Sequence, residues 1–390
     1  MSHFMIDERD MEFVLFDWLN TGQLASSAKY AEAGFDESVA REMIRTALKL
    51  AKDESRPSGR RWTSRASNSR TAKSRCPSRS KRRSESFAKT DFSVSPRRRE
   101  WGGMAMPHSL NIAATEIFSG ANMAFTMYAE LTYGAAHIIE AFGSDEMKAK
   151  YLEKMYTGQW TGTMCLTEPG AGSDVGALKT KAFPNGDGSY HITGSKIFIS
   201  SGDHDMTDNI IHPVLARIDG APDGIKGVSL FLVPKYLVNG DGRPGEFNDV
   251  VTGNIEHKLG IKGNATCTLN FGDHGKCVGW LVGEENKGIV YMFQMMNEAR
   301  LYVGMQGQSV AATAYMNALK YAKERIQFTH VRDMGESRRA ARGDHRTSGH
   351  PPHADVHEVD DRGHACDALQ GRAVGGHRRN RRGRKRKEAL

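Results

Sequence analysis

Apolar residues recur every three to four positions over Met11–Lys52, at Phe13, Val14, Phe16 and Leu19 and again at Ala40, Met43, Ile44, Ala47 and Leu48. That spacing predicts helix. The same period returns from Pro107 to Trp160. A helix starting at His108-Ser109-Leu110-Asn111 carries Ile112, Ile117 and Phe118, Gly120-Ala121-Asn122 breaks it, and Met123–Phe142 continues. Ser144-Asp145-Glu146 then offers an N-cap for Met147–Tyr156. From Thr161 to Gly283 the pattern shortens to strands. Ser189–Ile192 and Lys196–Ser200 flank Thr193-Gly194-Ser195, which reads as a hairpin turn. Val214–Ile218, Gly227–Val233 and Cys267–Phe271 are further strands between Gly/Pro/Asp/Asn clusters, and short strands so spaced suggest a barrel or sandwich. From Lys287 the helical period resumes through Ile289, Met292, Phe293, Met296, Leu301 and Met305 into Ala311–Arg325.

Two windows have no period at all. Ser55–Arg83 is rich in Arg and Ser with hardly an aliphatic residue, and past Gln327 the chain turns to Arg, His, Gly and Asp. Such composition cannot bury enough apolar surface to order itself. These windows also distort the overall charge. Of a formal total of +8, residues 54–99 carry +12 and residues 328–390 carry +6, so the remaining residues carry −10. The basic pI therefore does not describe the periodic part, and a nucleic-acid partner is not expected. A disordered linker, a nucleic-acid-binding arm and a stretch translated out of frame compete as explanations. A binding arm interleaves aromatics with its basic residues, whereas Trp62 stands nearly alone. A change of frame explains both windows by one cause. His350, His353 and His357 do not make a metal site, because Pro351 and Pro352 prevent a helix from presenting them on one face.

Five cysteines, Cys76, Cys165, Cys267, Cys277 and Cys366, show no C-x-x-C spacing, and their odd number fits a reducing cytoplasm. The start of the chain has acidic residues where a signal peptide needs basic ones, and no apolar run approaches a bilayer span.

Chemistry concentrates in Met164-Cys165-Leu166-Thr167-Glu168-Pro169-Gly170-Ala171-Gly172-Ser173-Asp174. A β-compatible run ends at Pro169, and Gly170–Ser173 leaves backbone N–H groups open to an anion or a ring edge. It is not a G-x-G-x-x-G motif. Alone it is an ordinary turn, but three more pieces follow in order: Lys196-Ile197-Phe198-Ile199-Ser200-Ser201-Gly202, Lys258-Leu259-Gly260-Ile261-Lys262-Gly263 and Gly283-Glu284-Glu285-Asn286-Lys287-Gly288. Together, over roughly Trp101–Gln327, they resemble the acyl-CoA dehydrogenase family, in particular its larger members with an extended C-terminal region. By that resemblance the chain is truncated and out of frame in two windows.

The resemblance implies an α+β multidomain fold, with a helical N-terminal domain, a β-barrel-like middle domain and the start of a C-terminal helical bundle. The expected divisions are residues 1–53 and 100–160 for the N-terminal helices, 161–283 for the β domain, and 284–327 for the first part of the bundle; 54–99 and 328–390 are the aberrant stretches. It implies FAD as cofactor, an acyl-CoA thioester as substrate desaturated between its α and β carbons, an electron-transfer flavoprotein as electron acceptor, and a homo-oligomer where the bundle is intact. Leu166, Thr167, Gly172, Phe198, Ser200 and Arg325 would then meet the cofactor, and Ser173 and Arg300 the CoA moiety. Phe198 departs from the tryptophan of many relatives, which keeps stacking but loses an indole donor. No base can be assigned. Relatives of the larger type carry the catalytic glutamate beyond the matching segment, others place it where this chain has Ala299, and Glu298 is one position off, rotated by about 100° on a helix. Glu168 is a structural carboxylate in relatives. The alternative is a non-catalytic or basic nucleic-acid-binding protein on the same fold.

Overall fold

A computed structural model describes residues 4–52 and 99–325. The expectations for residues 54–98 and 328–390, including the basic windows and the three histidines, lie outside the described residues. The chain divides into two compact units. One contains the described residues up to Lys52, then Met106–Ala121 and the chain from Val303; the other contains Asn122–Tyr302 and the short stretch before Met106.

In the first unit the stretch expected to be one helical region is broken. Helix α1 (Glu8–Glu12) runs into a π-helical turn, Phe13–Trp18, and a 3₁₀ turn at Thr21–Ser26 leads to α2 (Ala28–Glu32) and α3 (Glu37–Leu50). The interruptions fall where the backbone turns left-handed, at Asn20 (φ 46°) and Gly34 (φ 65°). Asp36 caps α3 by accepting the Val39 N–H at 2.8 Å. The buried face of α3 is Ala40, Ile44, Ala47 and Leu48, as its period requires. Helix α4 (His108–Phe142) leaves helical geometry at Asn122 (φ −159°, ψ 75°), one residue after the unit boundary. Ser144 Oγ accepts the Met147 N–H and starts α5 (Asp145–Tyr156).

The second unit is built on a closed sheet. Its strands are β1 (Trp160–Gly162), β2 (Lys181–Pro184), β3 (Ser189–Ile199), β4 (Asn209–Ile218) and β5 (Val228–Pro234), then β6 (Tyr236–Val238), β7 (Pro244–Phe247), β8 (Val250–Ile255), β9 (Cys267–Phe271) and β10 (Val278–Leu281). β4 pairs β5, β5 pairs β10, β10 pairs β3, β3 pairs β2, and β2 returns to β4, which closes a ring. β9 and β8 extend from the far half of β3, and β6 pairs with β7 as a separate ribbon. Closure leaves few edges.

Alternation then sorts the side chains. On β5, Val228, Leu230 and Leu232 join α4, α5 and the first turns of α6 (Gly288–Glu324) in one core, while Phe231 and Val233 join Val214, Ala216, Leu269 and Phe271 in the other. Two sequence expectations change here. Thr193-Gly194-Ser195 is no turn, because β3 passes through it unbroken. Gly194 has φ 150°, and a Cβ there would stand 2.5 Å from Thr180 Oγ1 and 2.8 Å from Thr180 Cα. The glycine permits a close approach rather than a reversal. β4 also begins earlier, at Asn209, although it contains Pro213. The Thr163 N–H bonds to Ile211 O, the Cys165 N–H to Pro213 O and the Leu215 N–H to Cys165 O, so the proline interrupts that edge only at its own missing N–H.

The interior of this unit also holds polar groups. His212, fully buried, bonds through Nδ1 to Thr163 Oγ1 at 2.7 Å, and His204 bonds through Nε2 to Thr161 Oγ1 at 2.9 Å. Lys235 and Asp203 form a buried pair beside them. Burial above all, with the Lys235 ammonium adding to it and Asp203 opposing it in the case of His204, brings both imidazoles down from 6.5 to about 3. A folded pKa below the unfolded one means that the unfolded chain takes up protons first. Their contribution to stability is therefore complete above pH 6.5 and is lost as pH falls from 6.5 toward 3. Glu116, which burial raises to about 7, acts in the opposite sense between pH 7 and 4.5. The histidines are therefore read by comparison with His212→Thr: urea midpoints of the unaltered chain should fall more steeply from pH 6.5 toward 3 than those of the variant. Equal slopes for the two would contradict a buried neutral His212.

Candidate functional site

The bend after residue 165 is fixed from inside. Glu168 and Ala171 exchange both backbone bonds, Glu168 N–H to Ala171 O at 3.0 Å and Ala171 N–H to Glu168 O at 3.1 Å, around Pro169-Gly170. The Ala171 N–H is thus used within the turn and is not one of the open donors expected over Gly170–Ser173. The glycines leave space instead. Nothing lies within 4 Å of where a Cβ on Gly170 would stand, and a Cβ on Gly172 would meet only Thr167 Cγ2, at 3.8 Å. Ser173 is exposed and Leu166 is packed in part against the core.

Glu168 turns inward. Its carboxylate accepts the Lys179 N–H at 2.6 Å, the Thr180 N–H at 3.0 Å, the Thr180 hydroxyl at 2.5 Å and the Lys196 ammonium at 2.7 Å. Burial opposes its ionisation, but the Lys196 charge and these bonds prevail and hold the carboxyl below its ordinary range. Lys196 has no solvent exposure, and burial draws its ammonium down against the pull of Glu168. It also donates to Leu166 O at 3.0 Å.

Next in sequence, the Ile197 N–H bonds to Thr167 O at 2.9 Å. Thr167 and Phe198 therefore occupy neighbouring positions on two hydrogen-bonded segments. Here the register of β3 against β9 shifts between Lys196 and Ile199, and the bulge turns Phe198 outward. Phe198 is 59% exposed and has φ 61°. An aromatic residue held left-handed and solvent-facing costs backbone energy without gaining burial. Ser200 follows, half-buried. Ser201 is also left-handed (φ 57°) and is fixed by Asn264, which accepts its N–H and donates to its hydroxyl, both at 2.9 Å. The loop that carries Asn264 contains Lys258, whose ammonium donates to Asn264 O and Thr266 Oγ1 and is lowered by burial to about 8.

Leu166, Thr167, Gly172 and Ser173 thus share one bend, Phe198 lies on the strand bonded to it, and Ser200 follows directly after that strand. The two arginines have local partners. Arg300 donates to Asn297 Oδ1 at 2.6 Å and lies over Phe293, and Arg325, in the other unit, donates to the Tyr321 hydroxyl at 2.5 Å. Glu298 faces His137, with Oε1 2.7 Å from Nδ1. Sequence reading missed the roles of Lys196, Thr180 and Asn264. For Lys196 the signal was present, since period two places it on the face of Ile192 and Gly194.

The N-terminal domain of acyl-CoA dehydrogenases matches residues 38–159 and the middle domain matches residues 163–274. The 3-methylmercaptopropionyl-CoA dehydrogenase of Ruegeria pomeroyi is 47% identical over 228 residues, covering 58% of this chain and 38% of its own length. A broad-specificity linear acyl-CoA dehydrogenase of Mycobacterium tuberculosis is 40% identical over 333 residues, covering 84% of this chain and 54% of its own. The chain therefore spans little more than half, or less, of these curated relatives. Among solved structures, an acyl-CoA dehydrogenase complexed with FAD from Bacillus anthracis superposes with a TM-score of 0.69 at 24% identity, covering 88% of this chain and 52% of that one. Its fold is shared.

Strain at Phe198 makes a prediction independent of any ligand. Phe198→Gly removes an exposed ring and relieves a left-handed backbone, so stability should hold or rise by up to about 1 kcal/mol. Urea denaturation measures this, and a loss larger than that gain would show that the ring supports the fold.

Proposed function

The chain belongs, through its N-terminal and middle domains, to the acyl-CoA dehydrogenase family, and on that footing we propose that it binds FAD and an acyl-CoA thioester at the bend of Thr167 and the bulge of Phe198. The reaction is α,β-desaturation of the thioester, with an electron-transfer flavoprotein as electron acceptor. The observation that carries this reading is the Ile197 N–H to Thr167 O bond beside an outward Phe198. When bound, FAD supplies the acceptor for the β-hydrogen as hydride. Phe198 offers a flat apolar face to the ring system. Thr167 and Ser200 offer hydroxyl and backbone groups to its polar edge, Leu166 flanks it, and the missing side chain at Gly172 leaves room for it. Ser173, exposed at the end of the bend, would meet the CoA moiety. Arg300 and Arg325 supply guanidinium forks suited to phosphate, Arg300 toward CoA and Arg325 toward the FAD diphosphate of a second copy.

The α-proton needs a carboxylate that can accept and release it. Neither Glu168, ionised and bonded to four donors, nor Glu298, bonded to His137, fills that role. We place the base outside the described residues and read residues 54–99 and 328–390 as out-of-frame sequence, which leaves this chain impaired in turnover. Three buried free thiols, Cys165, Cys267 and Cys277, suit a reducing cytoplasm.

Purified chain titrated with FAD should become yellow and quench flavin fluorescence, and acyl-CoA should then bleach the flavin slowly or not at all. Absence of FAD binding sinks the cofactor reading, whereas brisk bleaching sinks the claim of impairment alone. Reading the coding DNA of the two windows in the other frames should give apolar, periodic sequence, and Arg-rich sequence in every frame would reject the frame change.

A further inference from the structure

A lysine with no solvent exposure bridges the bend and the bulge. Lys196 Nζ donates to Leu166 O and to Glu168 Oε1, the residues on either side of Thr167, while the next residue's N–H holds Thr167 O. Three consecutive residues of the bend are thus tied to two consecutive residues of β3. Immediately beyond that tie the strand bulges and presents Phe198. Exchanging a buried ion pair for apolar groups of like volume is often neutral or stabilising, so stability does not explain a lysine here. Geometry does. An ammonium with three donors on one point can reach a backbone carbonyl and a carboxylate together, which an apolar side chain cannot.

We propose that Lys196 is a positioning residue, whose ammonium sets the spacing between Thr167 and Phe198 and so the width of the flavin slot. The proposal deepens the functional reading above and rests on it. Gly194 serves the same arrangement, since its lack of a side chain lets Thr180 come close enough to β3 to complete the shell of Glu168. Lys196 acts through the bend and touches no reacting atom.

Lys196→Met alone strands the Glu168 charge in the interior and is expected to unfold the barrel in part. Lys196→Met combined with Glu168→Gln removes both charges; the Gln carbonyl keeps the acceptor for the Thr180 N–H and hydroxyl, while its amide nitrogen takes the place of the oxygen that faced the Lys179 N–H and loses that bond. The double variant, as full chain, should fold, with a thermal midpoint lowered by that lost bond. Its FAD dissociation constant should rise by about tenfold or more, and the visible band of the bound flavin should lose its fine structure. Hydrogen exchange at the Ile197 amide should quicken by about tenfold while the amides of β4 and β5 keep their protection. A folded double variant with unchanged FAD affinity overturns the proposal. So does a double variant that fails to fold, because the pair would then be holding the barrel rather than the slot. If the unaltered chain binds no FAD the functional reading fails, and exchange at Ile197 still decides the role of Lys196: unchanged protection rejects it.

Discussion

One buried carboxylate organises the site. Glu168 accepts a hydroxyl, two backbone N–H groups and an ammonium, and so joins the bend to the segment that leads into β2 and to β3 at once. Removing two opposite charges from water costs several kcal/mol each and is recovered only when the remaining lone pairs and protons find partners. Glu168 meets that condition. Its effect is local: the four donors are satisfied with residues 166–171 in this bend and lose their acceptor when Glu168 leaves it.

The strained residues are tolerable because of what surrounds them. Phe198 and Ser201 both adopt left-handed backbone within four residues, each at a cost on the order of 1–3 kcal/mol. They persist because the flanking positions are over-determined. Ile199 is paired to Cys267 across the bulge, Gly202 donates to Ile199 O and Ala265 O, and Asn264 fixes Ser201. A closed barrel with two apolar cores on either side of β4 and β5 supplies the rigidity against which that strain is held. A flat open sheet would relax it by slipping register.

Period alone made much of this fold legible. The face of α3, the break at Asn122, the cap at Ser144 and the strands around Phe231 and Leu269 all follow from spacing and capping chemistry. What stayed hidden depends on partners distant in sequence. Gly194 looks like a turn residue until Thr180 is seen against it, and Pro213 looks like a strand breaker until its missing N–H is placed at one position of an otherwise bonded edge. The bulge at Phe198 exists only relative to β9, so nothing local announces it. In the bend, composition suggested a cluster of free N–H donors. The donors to Glu168 come instead from Lys179 and Thr180, just before β2, and from Lys196 on β3, residues that no short window around Thr167 contains.

The features that make Glu168 an anchor also exclude it from acid–base work. A general base must hold a lone pair toward its substrate and have both protonation states accessible near the working pH. Glu168 points into the protein, has four donors on its two oxygens, and is held in its ionised form. Protonating it would break the bond to Lys196 and leave an ammonium buried without its counter-charge, so each catalytic cycle would disturb the bend that has to stay still. On the reading proposed above, cofactor placement and proton transfer fall to different carboxylates: Glu168, paired with Lys196, holds the bend, and the proton is left to a group outside the described residues.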